Sequence, residues 1–344
     1  MALYLGILIF SFIATSLVIV PFINLLYSLK FQRLQQISKD VFGKSTSIFN
    51  KFHKKKVGVP IGGGLLIIMV VSLLFTLLLP LSARFGVDVT SLYKPISVEV
   101  NIIFLTFLSF GILGLYDDIH KFFSLKRKGF FGLSMKHKLF MQILIATVIA
   151  CMLYFQLGID FVNIPFFRTI QLGYFYIPFA VFVIIAFTNA INITDGLDGL
   201  CSGSLMISLF GLWFLSASIL DVPLLIFIAL WLGSLISFLY FNVFPARIML
   251  GDVGALSFGA TLAVVGLLLG KVAALLIIGF IFILDGGSSF LQLMSKRFRG
   301  KKIFPAAPIH LSLQEYGWAE PKIVQRAWLV QIMLTIFGLW LTML

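Results

Sequence analysis

Nine stretches of the chain run for at least 17 residues without a single Asp, Glu, Lys or Arg, at 1–29, 57–83, 100–116, 139–159, 169–194, 199–220, 222–246, 253–270 and 327–344. A tenth, 272–295, is broken only by Asp285. A helix crosses the hydrocarbon core with about 20 mainly apolar residues, so each run has the length of a span. The runs are continuously apolar rather than alternating in short segments, which excludes a β-barrel. With 60% hydrophobic and 11% charged residues, too few charges remain to cover a water-facing surface. The sequence therefore predicts a single all-α domain over 1–344, a polytopic integral membrane protein of ten transmembrane helices. Residues 1–29 lack the basic start of a cleavable leader and read as a retained first helix. Cys151 and Cys201 both lie in apolar runs, leaving no disulfide framework and no cysteine metal site.

Net charge is +13, which in a water-soluble chain would raise nucleic acid as a partner. Here its placement gives a different reading. The loops after spans 1, 3, 5, 7 and 9 hold 22 of the 26 Lys and Arg residues; the other loops hold only Arg84, Lys94, Arg168 and Lys271. By the positive-inside rule the first set is cytoplasmic and both termini face outward. The basic excess is a topology signal, and no nucleic acid is implied. Nine of the 13 acids fall on the same inner side: Asp40, Asp117, Asp118, Asp195, Asp198, Asp252, Asp285, Glu315 and Glu320. A membrane anchor has no use for carboxylates there, so the inner face is where chemistry is expected.

Four segments carry it. Gly-Leu-Tyr-Asp-Asp-Ile-His-Lys closes span 3, with Asp117 and Lys121 on one helical face. Adjacent carboxylates repel unless a cation or proton intervenes, so Asp117 and Asp118 suit divalent-metal or general-base work, or else a solvated helix end. Asn189, Asn192, Asp195 and Asp198 recur every third position at the end of span 5, with Gly196 and Gly199 between them. Gly251-Asp252 precedes span 8, where backbone N–H groups and a carboxylate converge in a way that suits a phosphate held with Mg²⁺, or an ordinary helix cap. After span 9, Lys301-Lys-Ile-Phe-Pro-Ala-Ala-Pro-Ile-His310 is followed by Gly317-Trp-Ala-Glu-Pro321, a basic loop in which one His suggests an anionic ligand or lipid headgroups. Carboxylates without cysteine point to a hard cation, Mg²⁺ or Mn²⁺, and flanking lysines to phosphates.

With GLYDDIHK at 114–121, GLSMKHK at 132–138, NITDGLDGL at 192–200, FNVFPARIMLGDVGA at 241–255, and KIFPAAPIH with GWAEP from 302 to 321, the chain resembles the polyprenyl-phosphate N-acetylhexosamine-1-phosphate transferases, most of all their muramoyl-pentapeptide branch. The resemblance covers nearly the whole chain. It implies Mg²⁺-dependent transfer from UDP-MurNAc-pentapeptide to undecaprenyl phosphate with release of UMP, a step in peptidoglycan synthesis at the inner membrane. It also implies roles. Asp252 takes the Mg²⁺ position, joined by Asp195. Asp117 and Asp118 lie near the lipid phosphate, with Asp117 as the candidate base. Asn192, Asp195 and Asp198 surround the nucleotide sugar, Asn242, Gly251 and His310 are further substrate-binding positions, and Lys121, Lys136 and Lys138 serve phosphates. A homodimer is compatible with this plan.

The chain departs from that branch in three places. His310-Leu311-Ser312 stands where three histidines are usual, Val59-Pro60-Ile61-Gly62-Gly63-Gly64 where Thr-Pro-Thr-Met-Gly-Gly is usual, and Asp285 in place of a glutamate, with Gln292 retained. These changes bear on sugar recognition more than on phosphoryl transfer. They keep open a sibling activity on UDP-GlcNAc or a related UDP-sugar, and an inactive paralogue. An ion-coupled transporter is a further alternative, although it predicts acids near the midplane and not at one end of the spans.

Overall fold

The computed structural model describes residues 2–32, 56–84, 88–124, 133–165 and 168–343. Most of the two basic loops, with Asp40, Lys126, Arg127, Lys128 and the first glycine of GLSMKHK, lies outside the described residues. The elements in chain order are α1 (Ala2–Ser28), α2 (Gly63–Arg84), α3 (Ile96–Ser124), α4 (Met135–Phe155), a hairpin of β1 (Phe161–Ile164) and β2 (Arg168–Gln171), α5 (Tyr176–Thr194), α6 (Leu200–Ser218), α7 (Val222–Asn242), α8 (Gly251–Leu268), α9 (Val272–Ile278), α10 (Phe280–Arg299), α11 (Ile309–Glu315) and α12 (Glu320–Met343).

Among the described residues, nine helices are long and apolar enough to cross a membrane. The count reaches ten if α9 and α10, bent by 79° at Gly279, are taken as one span. Helices are the required answer in lipid, because no water satisfies the backbone. The all-α polytopic class holds, with helix boundaries that depart from the charge-free runs. The span expected from 169 begins as a strand, since Phe161–Ile164 and Arg168–Gln171 pair antiparallel before the helix starts. The span expected at 100–116 is a longer helix, 96–124, that takes in Glu99, Asp117, Asp118 and Lys121. Counting charges as helix breaks shortens such a span, because charges at its ends are carried inside the helix once they are paired.

Two helices form the centre. Nearly every residue of α7 and α8 is buried, whereas α1, α2 and α5 turn Leu17, Leu73 and Phe182 outward. With no hydrophobic drive between helices in lipid, small and polar residues join them. Ser11 Oγ of α1 donates to Leu230 O of α7 at 2.6 Å, and Thr15 meets Ser234 at 2.7 Å. Ser257 Oγ of α8 donates to Phe107 O of α3 at 2.6 Å. Ten residues before the C-terminal end of α3, a Cβ on Gly114 would lie 2.2 Å from Asp252 O, so only glycine lets α3 approach the start of α8. That approach brings two of the motifs together.

Candidate active site

The C-terminal part of α3 places Asp117, Asp118 and Lys121 within one turn. Asp117 and Lys121, at i and i+4, are 3.1 Å apart. The next helix opens with Ser134, whose Oγ accepts the His137 N–H and caps α4. Its first turn delivers Lys138, with Nζ 3.0 Å from Asp117 Oδ2. Asp252 enters from the first turn of α8: Lys121 Nζ stands 2.8 Å from its Oδ2, and Lys138 also donates to that oxygen. Two ammonium groups are thus shared between two carboxylates from different helices.

The oxygens of the Asp pair have separate tasks. Asp117 Oδ1 accepts the Leu133 N–H at 2.7 Å while Oδ2 faces the lysines. Asp118 Oδ2 accepts the Val253 N–H at 3.0 Å, a negative charge on the N-terminal end of α8. Gly251, with φ 78°, permits the turn into α8, and a Cβ there would sit 2.8 Å from Asp118 Oδ2. Side-chain exposure is 3% for Asp117 but 16% for Asp252 and 29% for Lys121. The Lys121–Asp252 edge is the side open to a ligand. Among the described residues no three His, Cys, Asp or Glu side chains converge to hold a metal ion; the cations gathered by these carboxylates are the lysines.

Asp198 and Asn242 form a second, buried group. Asp198 Oδ1 is 2.7 Å from Lys56 Nζ, and its Oδ2 accepts the Ala246 N–H at 3.0 Å. Glu320, at the start of α12, is 2.5 Å from Lys56 and accepts the Asp198 N–H at 2.6 Å. Asn242 Oδ1 accepts from Gly199 N and Ser202 Oγ, and its Nδ2 donates to Ile248 O at 2.9 Å. Both side chains tie the 195–199 turn to the 243–250 loop that leads to Asp252. The sequence reading gave Lys56 no individual role and placed Glu320 only among the inner-side acids and in the 317–321 segment. Their contact joins residues 264 apart, and only the inner-side position of both charges hints at it.

The remaining predicted residues sit around these groups. Asn192 and Asp195 are half-buried at the end of α5, and Lys136 is exposed on α4. His310 is buried in α11 beside Asp285, its Nδ1 2.7 Å from Asp285 Oδ2. At the rim, Lys322 and Arg326 stack on the Trp318 ring at 4.9 and 4.6 Å.

Residues 100–270, which contain the Asp pair, the 192–200 motif and Asp252, match glycosyl transferase family 4. The phospho-N-acetylmuramoyl-pentapeptide-transferase of Aquifex aeolicus is 35% identical over 345 residues, covering 94% of this chain and 91% of the relative. The proteins of the same name from Desulfotalea psychrophila and Clostridium perfringens are 38% and 35% identical, covering 83% and 92% of this chain and 80% and 90% of their own lengths. The chain belongs to the phospho-N-acetylmuramoyl-pentapeptide-transferase family. As a member of that family it is a transferase with many membrane spans.

Proposed function

We propose that this member of the family transfers phospho-N-acetylmuramoyl-pentapeptide from its UDP carrier to undecaprenyl phosphate, as one domain whose active site faces the cytoplasm from the plasma (inner) membrane. A lipid phosphate oxygen forms the new bond to the sugar-bearing phosphorus of the donor, the bridging P–O bond breaks, and UMP leaves. The supporting observation is the sharing of Lys121 and Lys138 between Asp117 and Asp252 at the ends of three helices. Phosphoryl transfer needs positioning and charge neutralisation more than covalent help. A site at the inner ends of spans is open both to a lipid in the bilayer and to a nucleotide sugar in the cytoplasm.

The oxygen-only carboxylate of Asp252, already turned on two shared cations, fits Mg²⁺, with Mn²⁺ as an alternative; the assignment of Asp195 to that ion rests on its motif. When bound, the ion supplies neutralisation of the phosphates that must meet. Lys121 and Lys138 exchange their carboxylate partners for phosphate oxygens as substrate enters. Asp117, held through Oδ1 by the Leu133 amide, offers Oδ2 as the acceptor for a lipid phosphate that still bears its proton. Asp118 fixes α8 and so aims Asp252. Asp198 and Asn242 keep the donor-side turn in place, where Asn192, Asp195 and His310 meet the nucleotide sugar, with Gly251 giving backbone access and Lys136 at the rim.

The test is UMP release by the purified protein with undecaprenyl phosphate and either UDP-MurNAc-pentapeptide or UDP-GlcNAc, with and without Mg²⁺. Metal-dependent turnover of the muramoyl donor is expected. Turnover of UDP-GlcNAc alone would overturn the muramoyl reading in favour of the sibling activity.

A further inference from the structure

One face of α10 is built as a template for the loop that carries His310. Asp285, Ser288, Gln292 and Ser295 recur at helical spacing, and each is buried. Ser295 Oγ donates to Lys301 O at 2.9 Å. Gln292 takes the N–H groups of Ile303 and Phe304 on Oε1, at 2.9 and 3.1 Å, and donates to Phe304 O at 2.8 Å. Ser288 Oγ accepts the Ile309 N–H at 2.9 Å. The ladder ends at Asp285, which engages His310 with both oxygens: Oδ1 accepts its main-chain N–H at 3.3 Å and Oδ2 meets ring Nδ1 at 2.7 Å.

The other ring nitrogen faces the donor-side turn. A Cβ placed on Gly196 would lie 2.6 Å from His310 Nε2, so the imidazole edge is pressed against the residue that follows Asp195. A carboxylate only accepts hydrogen bonds, so its partner Nδ1 carries the hydrogen and Nε2 is left for the site.

We propose that Asp285 is a positioning residue for the transfer reaction: it fixes the ring orientation and tautomer of His310 so that Nε2 is presented at the Asp195–Asp198 turn to a hydrogen-bonding group of the nucleotide-sugar donor. This assignment of Nε2 to the donor rests on the function proposed above. Partners that orient a functional histidine through its second nitrogen are worth about 10–100-fold in the metal sites where they have been measured, and a comparable loss is expected here.

The variant Asp285→Asn separates this role from packing. Its Oδ1 can still take the His310 main-chain N–H, which turns the NH₂ toward Nδ1 and forces Nδ1 to accept, moving the ring hydrogen to Nε2. In ¹⁵N-histidine-labelled full-length protein in lipid nanodiscs at pH 8, with the His310 signal assigned through His310→Gln, the wild type should show the Nδ1–H tautomer and Asp285→Asn the Nε2–H tautomer. UMP release should fall about 10–100-fold in kcat, Asp285→Glu should recover most of it, and Asp285→Asn placed on His310→Gln should cost nothing further. A wild-type Nε2–H tautomer, or an additive loss in the double variant, would overturn the proposal. If Asp285→Asn does not purify as a monodisperse protein, the wild-type tautomer and the Asp285→Glu rates decide it. Absence of UMP release in the wild type with either donor would instead sink the proposed function, and the tautomer measurement would still stand.

Discussion

Lys121 Nζ lies 2.8 Å from Asp252 Oδ2, across the junction of α3 and α8 and 131 residues away in sequence. The same ammonium is 3.1 Å from Asp117, and Lys138 repeats the arrangement from α4. Each lysine therefore neutralises a carboxylate in the resting protein and is placed to neutralise a phosphate once substrate arrives.

Lys138→Ala should lower kcat for UMP release by about 10²-fold or more, the scale of losing one group that stabilises transition-state charge. Lys138→Arg should recover part of the rate, since charge returns but the planar guanidinium does not match a compact ammonium. Initial rates at saturating Mg²⁺, on protein that elutes as the wild type does, make the comparison.

Gly114→Ala should destabilise the protein by about 1–3 kcal/mol, the usual cost of overpacking, because the added Cβ would lie 2.2 Å from Asp252 O. It should also lower activity by forcing α3 away from α8. Thermal unfolding in detergent together with UMP release reads both effects.

The Lys56–Asp198–Glu320 network is buried, with side-chain exposures of 9%, 6% and 11%. Removing one partner of a buried pair leaves an uncompensated charge and costs about 3–5 kcal/mol. Glu320→Ala should therefore reduce thermal stability markedly, and Lys56→Met combined with Glu320→Leu should be milder than the sum of the single changes. Additive losses would mean that the contacts are not coupled.

At the opposite end of the bundle, burial raises the pKa of Asp221 above the ordinary carboxylate value. The side chain caps α7 by accepting the Leu224 N–H at 3.1 Å, and it shares the Ser91 hydroxyl with Glu99. A carboxyl whose folded pKa is raised binds more protons folded than unfolded, so this group favours the fold at low pH. Its contribution is lost as pH climbs from about 4, the unfolded value, through the raised folded value. Asp221→Asn keeps a good capping residue and removes the charge. It should be more stable than the wild type at pH 8, with the gap closing toward pH 4, as followed by thermal unfolding across that range.

The spans were legible because lipid leaves a helix few alternatives, and Asp117, Asp118 and Asp252 stood out as carboxylates that an anchor has no need of. The ends of α3 were not legible from charge-free runs: Glu99 and Lys121 belong to the helix because each finds a partner, the Ser91 hydroxyl for one and the Asp117 carboxylate for the other. The β1–β2 hairpin gave no periodic signal in strands of four residues. Asp198 read as a position around the nucleotide sugar, and in the fold its two oxygens are engaged by Lys56 and the Ala246 amide. Contacts that join residues 48 and 142 positions apart leave no local pattern. Asp285 was visible as an acid within a span, but its partner could be named only once α10 and the 300–310 loop were folded together.

The most direct test of the site is Asp252→Asn, an isosteric change that removes the charge shared by Lys121 and Lys138. Measured as UMP release from UDP-MurNAc-pentapeptide with undecaprenyl phosphate across a Mg²⁺ titration, it should abolish turnover at every Mg²⁺ concentration while the protein still unfolds at a temperature close to that of the wild type. Turnover retained at wild-type rates would contradict the assignment of Asp252 and its two lysines to the transfer reaction.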